Sequence, residues 1–478
     1  MITIIIKNCN ICEIQGPAKY LLKLFEAFKV KHPNAWHIRM YGRTDWDGFI
    51  KYISETGTFK IGLLNKVYNK CREFGLKVKI IDNRLPLEVK PVIPEVIGDK
   101  TIRPIQREAL EKIVNNRVGN IPFLICASDL AVNFGKTLIF CGLHESFQRK
   151  LKTVLLLNST DLFKQFKTEV PELIPGEDVA FIQGSKCSEW GNFNVCMVQS
   201  LAANIKRYQR FLSEVDMVLI DEADVIDNKT FKTVIQHLYN SRVRIGLSGT
   251  LYMSDLKKKL VHNMNIMSFI GDKVNQVKLK DMMKAGYSTP IVVKMVYAPF
   301  KSPVDGEDYS TEYQETISNN EDAWKLSYDR AMWNMNLGRL PMLIVCKFIP
   351  HCENLYKYYT KRLKKTGLKI AHVHHNTKER DEILQAFREG KIDILIATTI
   401  ISRGQNFPEM KYLQNTASMD SNEKSIQILG RLARTHMSKK KAYLDDLVFP
   451  GKYLRRHGNH RKNYYLKERL KVILIENN

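Results

Sequence analysis

The chain has 478 residues, room for about three domains at ~150 residues each. Apolar residues make up 44%, enough for sizeable cores, and 74 Lys and Arg against 50 acids give a formal charge of +24. That excess favours a polyanion, DNA or RNA, over a small neutral ligand, with an anionic membrane surface as the competitor. No apolar run approaches ~18 residues and the first residues lack a signal-peptide layout, so neither a membrane span nor secretion is expected. Nine scattered cysteines form no framework and point to a reducing cytoplasm. Cys9 and Cys12 make one CxxC, but no second pair follows at zinc spacing.

Residues 1–95 have the pattern of a small α+β unit. Met1–Lys7 and Lys77–Asp82 are strand-like, and Ala18–Phe28 and Leu63–Phe74 have helical periodicity. Between them Tyr41, Arg43 and Trp46 mix aromatics with Arg, a combination that stacks on bases or grips phosphates. The competing expectation is that Tyr41 and Trp46 belong to a small core. Leu85–Pro94 carries Pro86, Pro91 and Pro94 and is expected to be a stiff extended linker.

From Arg103 onward strands and helices alternate, which predicts a parallel sheet wrapped by helices. Strands are expected at Ile121–Ala127, Thr153–Leu157, Val195–Val198, Met217–Ile220 and Val243–Leu247, and helices at Thr137–Phe147 and from Asp161. An acidic, turn-rich stretch at Ser302–Asp308 is expected as a hinge or exposed loop. A second alternation follows, with strands at Met342–Cys346, Lys369–Val373, Asp393–Ala397 and Lys411–Asn415. Its helices fall at His351–Lys365, Glu379–Phe387 and Asn422–Ala433. The segment Lys439–Lys471 is basic and aromatic. Leu466, Leu470 and Ile473 suggest a final amphipathic helix, whose basic face is either merely solvated or in contact with phosphate.

The chemistry centres on Val218-Leu219-Ile220-Asp221-Glu222-Ala223-Asp224. A buried strand ending in adjacent carboxylates sits where α/β sheets bind ligands. Asp221 suits Mg²⁺, which prefers hard oxygen ligands, and Glu222 suits a base that activates water against a γ-phosphate. The plainer alternative is a helix N-cap. Gly135-Lys136-Thr137 follows a strand and opens a helix, as a phosphate loop does. Lys136 would meet β- and γ-phosphates, and the Thr137 hydroxyl would share Mg²⁺ with Asp221. Leu130, Asn133 and Phe134 depart from the small residues usual there. Gln106 could hydrogen-bond adenine, favouring ATP over GTP. Ser248 and Thr250, at another strand end, are placed to touch the acidic motif and relay nucleotide state. Gln427, Arg431 and Arg434 share one helical face, where arginines could stabilise γ-phosphate charge.

Gln106, Gly135–Thr137, Asp221–Asp224, Ser248–Thr250, Ser402–Gly404 and Gln427–Arg434 stand in the order of the superfamily 2 helicase motifs, over residues of about 100 to 450. The chain thereby resembles that family. The resemblance implies an α/β fold of two tandem RecA-like parallel-sheet domains preceded by a small α+β N-terminal domain. The expected divisions are 1–95 (nucleic-acid binding), 96–298 (ATP binding) and 299–478 (second RecA-like domain with a basic extension). It also implies nucleotide contacts from Arg103, Asn133, Gly404 and Gln427, and DNA contacts from Thr160, Gln199, Ser200, Lys347, Thr398 and Arg403, beside Arg43 and Trp46. Tyr41-Gly42-Arg43-Thr44-Asp45-Trp46-Asp47-Gly48, Ile61–Leu64 and Phe74-Gly75 are similar, more narrowly, to the leading domain of phage UvsW-type helicases. That family acts on branched DNA, in branch migration and fork regression, and its phosphate loop also carries Leu at the position of Leu130.

The expectation is therefore an ATP- and Mg²⁺-dependent DNA helicase and translocase acting on branched or forked DNA in the cytoplasm. Its rivals are a DEAD-type RNA helicase, a non-hydrolysing nucleic-acid clamp suggested by Leu130 and Phe134, and the motor of a restriction or remodelling machine.

Overall fold

The computed structural model describes residues 1–36, 46–184, 186–187, 189–252, 259–304, 306, 308–399, 407, 409–420 and 429–476. Two compact units emerge, one formed by residues 1–130 and 135–276, the other by 131–134 and 277–478.

The first unit begins with a four-stranded sheet in the order Thr58–Lys60, Ile11–Gln15, Ile2–Ile6, Val78–Asp82. Ile2, Ile4 and Ile6 alternate with more exposed neighbours, as a half-buried strand should. Helices Ala18–Ala27 and Leu64–Glu73 close one core with it through Leu24, Leu64, Val67 and Cys71. That core does not stop at the linker, because Phe123, Ile125 and Met264 belong to it as well. The linker itself is tied down: Val92 N–H donates to the Ser146 carbonyl at 2.7 Å, and the Arg107 guanidinium donates to the Pro94 carbonyl at 3.2 Å.

A wholly buried cation fastens the N-terminal sheet further. Arg244 lies inside the strand Val243–Ser248. Its guanidinium donates to the Cys9 carbonyl (2.9 Å), Asn10 Oδ1 (2.8 Å), Ser241 Oγ (3.1 Å) and the Phe269 carbonyl (3.1 Å). A buried charge is tolerable only when hydrogen bonds compensate it, and here both terminal nitrogens have acceptors while the buried Nε has none. Even so, burial lowers its pKa to about 10.

The main sheet of this unit runs Lys186–Cys187, Val179–Gln183, Phe193–Met197, Thr153–Leu157, Met217–Asp221, Val243–Ser248, Ile125–Leu130, Lys273–Val277. From Val179–Gln183 through Ile125–Leu130 every neighbouring pair is parallel; only the edge strand Lys186–Cys187 is antiparallel. The five strands from Phe193–Met197 to Ile125–Leu130 are buried at every residue, which is why Val154–Leu157 and Met217–Ile220 appear in the sequence as apolar runs, while Asn194, Arg244, Ser128 and Asp129 interrupt the other three.

The second unit carries seven parallel strands in the order Ile370–Val373, Ile394–Thr398, Met342–Cys346, Tyr412–Asn415, Ala442–Val448, Ile291–Tyr297, Lys471–Glu476. Two tandem RecA-like sheets behind a small α+β piece are thus the architecture the motif order implied. Ile291–Tyr297 already pairs in this second sheet, so the acidic stretch that follows lies within the unit. Asp308 there opens the helix Tyr309–Tyr313, accepting the Ser310 and Thr311 N–H groups at 2.7 and 3.1 Å.

The basic segment near the end differs from expectation. The helix Lys452–Lys467 ends before Leu470, and Lys471–Glu476 is an edge strand rather than more helix. Val472-Ile473-Leu474-Ile475 is β-branched and apolar, and it finds an open sheet edge at Ile291–Tyr297. Leu466 is left exposed. Arg461 is no surface cation either. It is buried against Asp446, which also accepts the Tyr465 hydroxyl at 2.6 Å and Asn415 Nδ2 at 3.1 Å.

Candidate active site

The ends of three adjacent strands build the first-unit site. Asp221 pairs with Leu247, and Asp129 with Ser248, so the acidic motif and the phosphate loop leave the sheet on either side of Val243–Ser248. Glu222 turns the chain there with φ +49°, a left-handed conformation rare outside glycine and frequent where function stores strain. Ala223 then packs on Gly246, where a Cβ would come within 2.8 Å of the Ala223 Cβ. Glycine in that strand lets the acidic turn sit tight against the sheet.

On the other side Asn133 (φ +66°) and Gly135 (φ +88°) are both left-handed and swing the chain into the helix Lys136–Ser146. A Cβ on Gly135 would lie 2.9 Å from Gln106 Nε2, so Gln106 lines the phosphate loop itself. Its Oε1 accepts the Arg103 N–H at 3.0 Å at the start of the helix Pro104–Val114. Leu130 and Phe134, the residues that depart from a small-residue loop, point into the core and are wholly buried. Asn133 Nδ2 donates to the Gly430 carbonyl at 2.8 Å, in agreement with the grouping of residues 131–134 in the second unit.

Lys136 reaches the acids, with Nζ 3.1 Å from Glu222 Oε1 and 3.6 Å from Asp221 Oδ1. Burial disfavours the charged ammonium, but Glu222 and Asp221 outweigh it and raise the Lys136 pKa. Burial, only partly countered by Lys136, pushes Asp221 up to about 6. Asp221 Oδ1 is buried and accepts no hydrogen bond. Asp224 accepts the Ser248 hydroxyl at 2.6 Å, and Ser248 Oγ accepts the Thr250 N–H at 3.1 Å. Ser248 and Thr250 are thus joined to the acidic motif in one chain of hydrogen bonds.

These features suit a magnesium-bound triphosphate. A buried carboxylate oxygen accepts no hydrogen bond and has only the Lys136 ammonium 3.6 Å away, that lysine is held by acids where phosphates could displace them, and two left-handed residues shape the loop before a helix N-terminus. Thr137, buried at the second helical position, completes the expected set.

The expected nucleic-acid contacts of this unit lie along the same sheet edge. Thr160 opens the helix Thr160–Leu173 just past Thr153–Leu157, and Gln199 and Ser200 follow Phe193–Met197. Gln199 Nε2 donates to the Asn158 carbonyl at 3.2 Å, linking the two stretches, while Ser200 Oγ accepts the Gly184 N–H at 2.7 Å. Trp46 is half-buried: its indole donates to the Phe49 carbonyl at 2.8 Å and its ring meets His32 edge-on. Arg43, Arg403, Gly404 and Gln427 lie outside the described residues.

In the second unit residues 429–432 are helical, Arg431 is buried and Arg434 half-buried. The Ala433 and Arg434 carbonyls accept the Thr289 N–H (2.7 Å) and hydroxyl (2.9 Å). Lys439, counted in the sequence among solvated basic residues, is instead buried, and Nζ donates to the Leu432 (3.1 Å) and Met410 (3.2 Å) carbonyls. Burial and then the charge of Arg434 lower its pKa to about 8. It braces the end of the arginine helix, and only its place in a Lys-Lys-Lys run masked it. Lys347 and Thr398 follow or end the adjacent strands Met342–Cys346 and Ile394–Thr398.

Cys9 and Cys12 are free, buried thiols raised by burial. Among the described residues no group of three or more His, Cys, Asp or Glu could hold a metal, and no helix is long and apolar enough to cross a membrane.

Comparison with known proteins agrees with this geometry. Residues 99–253 match the family model "Type III restriction enzyme, res subunit", and residues 334–436 match "Helicase conserved C-terminal domain". The chain is 22% identical over 447 residues to the ATP-dependent DNA helicase uvsW of Enterobacteria phage T4, covering 88% of this chain and 85% of that one. It is 22% identical over 318 residues to a relative named helicase 22 from Sulfolobus islandicus filamentous virus. That match covers 62% of this chain but only about half, 55%, of the viral protein. The fold of the Pyrococcus furiosus Hef helicase domain superposes with a TM-score of 0.52 at 14% identity, covering 77% of this chain and 98% of that one. With both helicase domains matched, in the same order as the strand-end motifs, the chain belongs to the superfamily 2 helicases and resembles UvsW.

Proposed function

We propose that this chain hydrolyses ATP to move along and separate DNA strands, and that its substrates are branched or forked. The carrying observation is the Lys136–Glu222–Asp221 cluster, whose buried Asp221 Oδ1 accepts no hydrogen bond and faces the Lys136 ammonium at 3.6 Å, at the sheet edge that also bears Thr160 and Gln199. Lys136 exchanges its acidic partners for β- and γ-phosphates, and Gly135 and the helix start offer backbone N–H groups to them. Gln106, against the loop, and Arg103 orient the nucleotide. Mg²⁺, held by Asp221 and Thr137, would neutralise phosphate charge. Glu222, freed from Lys136, takes the proton of the water that attacks the γ-phosphorus as the bond to ADP breaks. Arg431 and Arg434 supply guanidinium charge to the departing phosphoryl group. The Asp224–Ser248–Thr250 chain couples the acidic motif to the strand-end loop.

We assign residues 1–95 to gripping DNA beside the junction, residues 96–276 to nucleotide binding, and residues 277–478, whose sheet includes Ile291–Tyr297, to completing the motor. A DNA rather than RNA substrate is supported by the similarity to UvsW over most of both chains.

The test is ATP turnover and strand displacement on forks, four-way junctions, plain duplexes and RNA hybrids, with Lys136→Ala alongside. Stimulation by forked DNA that Lys136→Ala abolishes is expected. Hydrolysis stimulated only by RNA would move the assignment to an RNA helicase. Nucleotide binding without turnover in the wild-type chain would make it a clamp.

A further inference from the structure

We infer that Phe348 is a stacking platform for a base of the single strand, a contact residue outside the expected set; the inference rests on the DNA-motor function proposed above. Phe348 is the second residue beyond the strand Met342–Cys346 and opens the helix Ile349–Leu363. Cys346 pairs in register with Thr398, so the ring emerges on the sheet edge that carries the second unit's expected DNA contacts. Phe348 is 37% exposed, so part of its ring is open.

Its mounting is rigid. Tyr313, wholly buried, meets it in a T-shaped contact at 5.0 Å. The Tyr313 hydroxyl accepts the Lys347 N–H at 3.1 Å and shares a 2.8 Å hydrogen bond with His351 Nδ1. The ring is therefore held from beneath by a satisfied buried network while part of its surface remains open. A cation stands beside it: Lys347 Nζ lies 4.8 Å from the Phe348 ring centroid and 3.9 Å from that of Tyr309. Tyr309 in turn packs on His457 at 4.8 Å. A fixed, open aromatic surface next to a lysine is the pairing that single-strand binders use, the ring for a base and the cation for its phosphate. Every base offers a π-face, so the platform takes any sequence.

The experiment measures affinity for a fluorescent single strand, intact or carrying abasic sites, using the full chain and the variants Phe348→Ala and Phe348→Trp. Phe348→Ala should bind the intact strand on the order of tenfold more weakly. It should also lose most of the wild-type discrimination against abasic sites, and Phe348→Trp should restore both. Unchanged affinity in a folded Phe348→Ala, or equal abasic discrimination in that variant and the wild type, would overturn the platform while leaving the motor assignment standing. If the wild type binds no single strand at all, the motor assignment itself fails.

Discussion

Replacing Asp221 by Asn should make the ligand-free protein more stable while disabling it. Burial at the strand end raises the Asp221 carboxyl from its ordinary 3.8 to about 6. A group whose pKa rises on folding contributes stability that is complete below its unfolded pKa and is lost as pH climbs through its folded pKa. Across that interval, 3.8 to about 6, the charged carboxylate costs the folded state about 3 kcal/mol at pH 8. The attraction of Lys136 is already contained in that figure, and Lys136 keeps Glu222 at 3.1 Å in the variant. Asn keeps the shape without the charge, so D221N should raise the melting temperature of the first unit at pH 8 by roughly 5–10 °C. At pH 5 the wild-type carboxyl is mostly protonated in the folded state, and the gain should shrink to about half. Scanning calorimetry without nucleotide or Mg²⁺ at pH 5, 6.5 and 8 measures both effects. ATP turnover by the same variant should fall at least about a hundredfold, because the anionic carboxylate proposed for Mg²⁺ becomes a neutral amide. A D221N protein that melts at or below the wild type at pH 8, or whose gain is the same at pH 5, would refute burial as the source of the shift.

Glu222→Gln should still bind ATP and DNA but lose about 10²–10⁴-fold in turnover, as rapid-quench hydrolysis can show; wild-type rates would place the base elsewhere. Ser248→Ala breaks the 2.6 Å bond to Asp224, so strand displacement should decline more than DNA-stimulated hydrolysis does, and a parallel decline in both would argue against a coupling role. DNA affinity should fall by orders of magnitude between about 50 and 200 mM salt as phosphate contacts release counterions, and a flat response in anisotropy titrations would contradict the role given to the +24 charge.

Part of the candidate site was legible because a buried parallel strand such as Val218–Ile220 announces itself as an apolar run, and the motif follows directly at its end. Asp221, Glu222, Lys136 and Ser248 all converge as their positions predicted. Other features lacked a local signal. Lys273–Val277 reads Lys-Val-Asn-Gln-Val, an edge strand whose partners, not its own composition, make it a strand. Lys439 and Arg461 looked like parts of a solvated basic run, and only tertiary contacts show one bracing the arginine helix and the other neutralising a buried aspartate. Leu130 and Phe134 looked like defects in the phosphate loop because sequence cannot say which way a side chain turns; both turn inward. Arg244 had no visible partner, since its acceptors at Cys9 and Asn10 are far away in the chain.

Arg244 also limits how this chain can be cut or grafted. Trimming the leader would expose more than a seam, because it would leave a cation sealed in the motor's central sheet facing missing acceptors. A truncated motor would carry that defect as insolubility or a lowered melting point, whatever its hydrolytic competence. Swapping in a foreign leader would require redesigning position 244 with it.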